Sequence, residues 1–180
     1  MMLRNRSSGY GVVSRVLHWL MAFAIPAMFA LGLWMSSLDY YSPYYKSAPD
    51  LHKSIGLMLL ALLVLRFIWR QFNVKPDNSH LSSFEQLASI VVHLGLYGLL
   101  LALFVSGYLI STADGRPIEI FGMISVPATL QLPHQEDIAG EVHELLANVV
   151  IGLSVVHAMV ALKHHYINRD RTLGRMWFGS

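Results

Sequence analysis

The chain has 180 residues, of which 54% are hydrophobic and 13% charged, where soluble domains carry about 25% charged residues. With a mean hydropathy of +0.48, this composition argues against a soluble globular domain and against a disordered one. Cysteine is absent, which excludes disulfides, thiolate zinc sites, iron–sulfur clusters and covalently attached c-type haem, and the net charge of +2 forms no basic stripe suited to nucleic acid.

The apolar residues fall into four long blocks. The first, residues 16–38, has no charged residue and spans roughly 34 Å at 1.5 Å per residue, enough for a hydrocarbon core about 30 Å thick. Arg4, Arg6 and Arg15 ahead of it look like the start of a signal peptide. The apolar stretch is too long for one, and Met35-Ser36-Ser37 is a weak cleavage site, so a retained helix is expected. The second block, residues 51–72, has an apolar heart at 55–65. Lys53, Arg66 and Arg70 near its ends can snorkel outward. The third, residues 87–113, carries no charge. The fourth, residues 145–162, is preceded by Val142-His143-Glu144 and closed by Lys163. Every backbone amide in lipid must be paired internally, so open-chain spans are helices. The expectation is one all-α transmembrane domain over residues 1–180, a four-helix bundle with helices at about 14–38, 51–72, 84–113 and 140–166.

Orientation follows from the basic residues. Ten of the 13 lysines and arginines fall at the N-terminus, around the second connection and at the C-terminus. Lys46, Lys53 and Arg116 fall on the other side. Both termini are expected to be cytoplasmic. The outer loops collect Asp39, Asp50, Asp114, Glu119, Glu136, Asp137, Glu141 and Glu144. The long outer loop 114–141 alternates apolar residues with Gly122, Pro127 and Pro133 over 118–132, and reads as a cap on the membrane surface.

The nine histidines are the informative residues. His143 and His157 lie fourteen positions apart, which at 100° per residue leaves about 40° between them, so they project from one helix face. Their axial separation is roughly 21 Å. His18 matches the inner depth and His52 the outer, giving two bis-imidazole sites, one above the other. A b-type haem is flat and apolar, takes two axial ligands from facing helices and needs no thiol. Two haems b stacked across the membrane suit this pattern. Gly32, Gly56 and Gly152 help to admit the rings. Arg15, Arg66 and Lys163 at the inner site, and Lys53 and Arg116 at the outer, are positioned to receive propionates. A lone intramembrane histidine is as well explained by a hydrogen bond to a neighbouring helix; four in two depth-matched pairs are not. His93 competes with His18 as inner ligand and is otherwise a pocket residue. His164 and His165, past the hydrocarbon boundary, are expected to be solvated or to meet lipid headgroups. His80 and His134 lie in loops.

The motifs Val16-Leu17-His18-Trp19-Leu20, Leu51-His52-Lys53-Ser54-Ile55-Gly56, His93-Leu94-Gly95-Leu96-Tyr97, His143-Glu144, Val156-His157-Ala158 and Lys163-His164-His165-Tyr166 together resemble the bacterial cytochrome b561 proteins. Asp170-Arg171-Thr172-Leu173 and Arg175-Met176 also fit. The resemblance covers essentially the whole chain. It implies a four-helix di-haem cytochrome of the cytoplasmic membrane, with His18 and His157 on one haem and His52 and His143 on the other. It also implies electron transfer between the haems, with ubiquinone or ubiquinol as membrane partner. Some members are similar to superoxide oxidases, which pass an electron from periplasmic superoxide to quinone. Lys46, Lys53 and Arg116 are suited to steer such an anion. An alternative class is a haem-containing anchor that links a separate periplasmic oxidoreductase to the quinone pool. A metal or haem transporter is a weaker alternative, because the blocks hold few polar residues besides Ser89, Ser106, Asn148 and Ser154.

Overall fold

The computed structural model describes residues 2–179. In chain order the elements are α1 (Val12–Ser36), α2 (Ser47–Gln71), α3 (Ser83–Thr112), β1 (Ile118–Ile120), β2 (Ile124–Val126), α4 (Gln135–Tyr166) and α5 (Thr172–Trp177). The first four α-helices are each long and apolar enough to cross a membrane. They form a four-helix membrane bundle.

Local chemistry sets the helix ends. Ser82 and Glu85 make a capping box at the start of α3, each satisfying a backbone amide of the other. Pro49 sits in the first turn of α2, where its missing N–H costs nothing. Asp50 opens α2 and Arg70 closes it. Glu136 and Asp137 open α4, with Lys163, His164 and His165 in its last turn. Both patterns oppose the helix dipole with the favourable sign. The fourth helix begins at Gln135 rather than near 140. Gln135 is buried, donating from Nε2 to the Leu109 carbonyl at 2.9 Å and accepting from the Leu132 amide, also at 2.9 Å.

Met21, Ile25, Leu59, Leu63, Leu100, Leu103 and Val150 form the buried core. They come from all four long helices and sit at mid-depth. Large apolar residues such as Phe23, Leu87, Leu94, Leu145 and Met159 face outward. An apolar exterior around an apolar core is the pattern of a helix bundle solvated by lipid. Helix α3 runs along α4, α1 along α2, and α2 against α3, while α1 and α4 touch less than these pairs do.

The outer loop expected as a surface cap contains a small antiparallel hairpin, with Ile118 opposite Val126 and Ile120 opposite Ile124. Phe121 and Gly122 both take left-handed backbone at its turn. Buried Ser54 of α2 pins the hairpin, donating to the Glu119 carbonyl at 3.3 Å and accepting from the Phe121 amide at 3.1 Å. At the other end, residues 2–11, the α2–α3 connection and α5 close over the bundle. Trp19 Nε1 donates to the Met176 carbonyl at 3.0 Å, and Arg175 donates to the Asp77 carbonyl.

Candidate functional site

Four of the predicted histidines meet two by two. His18 of α1 faces His157 of α4, with ring centroids 6.4 Å apart and planes at 75°. His52 of α2 faces His143 of α4 at 6.3 Å and 71°. A metal–imidazole nitrogen bond is about 2 Å and that nitrogen lies about 1.1 Å from the ring centre, so two rings on opposite sides of one ion have centroids about 6.2 Å apart. Both pairs meet that spacing. The core between the pairs is the mid-depth apolar cluster, which keeps water from the space separating them.

The outer pair faces a cavity of about 770 Å³ whose lining includes Gly32, His52, Gly56, Gly107, Ile118 and His143. A Cβ on Gly32 would lie 3.5 Å from Cε1 of His52, and one on Gly107 would lie 3.1 Å from Cε1 of His143. The Cβ at Gly107 would press on its ring, and the one at Gly32 would sit in ordinary contact. The Nδ1–H of His143 donates to the Leu103 carbonyl at 3.0 Å, with Ser106 Oγ also 3.0 Å away. That leaves Nε2 as the available ligand atom. His52 Nδ1 is buried and has no hydrogen-bond partner among the described residues. A flat group held between two imidazoles, with glycine on either flank, fits these residues.

At the inner pair an Arg66 guanidinium nitrogen donates to His18 Nδ1 at 2.9 Å. Arg66 also lies 5.6 Å from the centre of the Tyr97 ring. Among the described residues it has no carboxylate partner. His93 of α3 stands closer to His157 than His18 does, at 5.3 Å between centroids, short of the separation of two rings on opposite sides of one ion. Its Nδ1 donates to the Ser89 carbonyl one turn back at 2.6 Å. His93 is therefore a wall of the inner site in this arrangement.

Several expectations need revision. Gly152 is exposed and meets nothing within 4 Å, so it does not flank a ring, whereas Gly107, missed in the sequence, does. Lys53 is paired with Asp50 at 2.7 Å, and Arg116 is paired with Asp114. Hydrogen bonds from Arg116 hold the Asp114 carboxyl below the usual carboxylate range. Two of the three outer basic residues are thus engaged locally. His164 is 4% exposed rather than solvated. Its Nδ1 donates to Asp170 at 2.6 Å, and its Nε2 lies 3.8 Å from Glu85. His165 is exposed, and so are His80 and His134. Among the described residues no cluster of three or more His, Cys, Asp or Glu is arranged to hold a metal ion.

Comparison with known proteins agrees with this architecture. The family model for prokaryotic cytochrome b561 matches residues 9–179. The chain is 50% identical over 178 residues to cytochrome b561 homolog 2 of Escherichia coli (strain K12), covering 98% of this chain and 95% of that protein. It is 30% identical over 176 residues to a Yersinia pestis protein named "Probable superoxide oxidase CybB", covering 93% and 94%. Cytochrome b561 homolog 1 of Escherichia coli (strain K12) is 26% identical over 161 residues, covering 89% and 92%. The chain belongs to the prokaryotic cytochrome b561 family, and is a membrane-embedded b-type haem protein of electron transfer.

Proposed function

We propose that the chain carries two b haems, one held by His18 and His157 and the other by His52 and His143, and that it conducts electrons across the cytoplasmic membrane in exchange with ubiquinone or ubiquinol. Both termini face the cytoplasm in this reading, as the basic residues suggest. The observation that supports it most is the pair of centroid separations, 6.4 and 6.3 Å, each suited to one bis-imidazole iron. When bound, the haems supply one-electron redox chemistry between ferric and ferrous iron.

The protein's own residues do the rest. Helix α4 presents two imidazoles at two depths, and α1 and α2 each bring one to meet them. The buried aliphatic layer around Met21, Leu59, Leu103 and Val150 keeps the interior at low dielectric. Arg66, a cation with no carboxylate partner among the described residues, is suited to a haem propionate. Giving its hydrogen bond to that carboxylate would release His18 Nδ1 to carry the ring proton, as a neutral ligand requires.

The family relative named as a superoxide oxidase makes periplasmic superoxide one candidate donor. A second reading, an anchor for a separate outer oxidoreductase, is supported by the outer charge. Eight exposed carboxylates stand there against three basic residues, two of them ion-paired. Such a surface repels a small anion and attracts a basic partner. The test mixes reduced protein with ubiquinone anaerobically in a stopped flow. Reoxidation within the mixing experiment is expected; protein that stays reduced contradicts the quinone assignment. The oxidised protein mixed with superoxide then separates the two donors.

A further inference from the structure

The place where α3 receives His143 holds more than packing atoms. His143 Nδ1 lies 3.0 Å from the Leu103 carbonyl and 3.0 Å from Ser106 Oγ. The Ser106 hydroxyl donates its own proton to that same carbonyl at 2.8 Å. Its proton is committed, so Oγ meets His143 as an acceptor, and two oxygens share one Nδ1–H. Ser106 is 4% exposed, which leaves little opening for water to replace it. The next residue, Gly107, has no Cβ to hold the ring off. The facing ring differs: His52 Nδ1 is buried with no partner among the described residues. The outer pair is therefore asymmetric in what stands behind each imidazole.

Hydrogen bonds from the distal ring nitrogen fix a ligand's tautomer and orientation and raise its basicity. Each acceptor on Nδ1–H shifts the ring toward imidazolate character. A more basic Nε2 favours oxidised over reduced iron. We propose that Ser106 is a positioning residue for His143, and that its hydroxyl holds the reduction potential of the outer haem below the value it would otherwise have. This rests on the reading of His143 as an axial ligand.

The test uses the full haem-loaded chain. Ser106→Ala and Ser106→Thr are compared with wild type by optical redox titration and low-temperature EPR. His52→Ala identifies the outer component independently, as the signal that it lacks. The Ser106→Ala protein is expected to show an upward shift of the outer midpoint and a changed outer EPR signal, with the inner component unmoved. Loss of such a partner weakens metal retention by about 10-fold or more, so outer haem should also pass to a scavenger about 10-fold faster. Ser106→Thr keeps a hydroxyl able to bond back to the preceding turn, and is expected to match wild type. An unchanged outer midpoint in Ser106→Ala, or equal shifts in both variants, would overturn the proposal while leaving the ligand reading intact. If His52→Ala keeps both haems, the ligand reading fails and the Ser106 proposal falls with it.

Discussion

At the scale of single residues, distance separates the proposed ligand from its neighbour. His93 is nearer to His157 than His18 is, 5.3 against 6.4 Å, and only the farther ring has the spacing of two imidazoles on opposite sides of one ion. Glycines are sorted the same way. Alanine at Gly107 would gain about 1 kcal/mol of helix propensity. Its Cβ would stand 3.1 Å from His143 Cε1, against a ring tied to Leu103 and Ser106. Overpacking of that kind costs about 1–3 kcal/mol. Gly107→Ala is expected to lower outer-haem content, and Gly152→Ala, which meets nothing within 4 Å, to keep full content and gain up to about 1 kcal/mol in thermal unfolding. Equal haem content in both variants would count against the close approach at α3. The four paired histidines were legible because helical azimuth and depth follow from spacing along one chain. Gly107 and Ser106 were not, because their roles depend on the register between α3 and α4, which no single-helix period encodes. His164 was misplaced for a related reason: the residue that covers it, Asp170, follows the end of its helix.

At the scale of elements, most of the bundle follows from local rules. Long apolar blocks give the spans, and Ser82 with Glu85 marks the start of α3. The β1–β2 hairpin was less legible. Its strands are three residues each, and Ser54, which pins them, belongs to a distant helix. The closing clasp at the end of the bundle that holds the termini is built on Asp170. Its carboxylate accepts from the Thr172 amide at 2.8 Å and from His164 at 2.6 Å. Burial works to raise its pKa, but the Thr172 and His164 hydrogen bonds outweigh it, and the carboxyl is held below its usual range. A depressed native pKa means stability that is fully present above the ordinary carboxylate value, near pH 4, and is lost as pH falls through the native one. Tryptophan fluorescence should follow this loss, because Trp177 of α5 packs edge-on against Trp19, with centroids 4.6 Å apart. Acid titration is expected to shift that emission below about pH 4, and Asp170→Asn to show the shifted emission already at neutral pH. Emission unchanged in the variant would contradict the clasp.

At the scale of the whole molecule, the bundle places its apolar core between two layers of imidazoles and turns its remaining apolar surface outward. Ten of the 13 basic residues gather at one end of the bundle, the asymmetry on which the proposed orientation rests. Family membership and the bundle support one b-type cytochrome; the proposal of two haems rests on the two facing pairs. The most direct measurement is haem per chain by pyridine haemochrome assay against quantitative protein determination. It is made on the wild type, on His52→Ala and on His18→Ala. Two haems in the wild type and one in each variant are predicted. One haem in the wild type, or two retained in either variant, would contradict the paired-imidazole assignment.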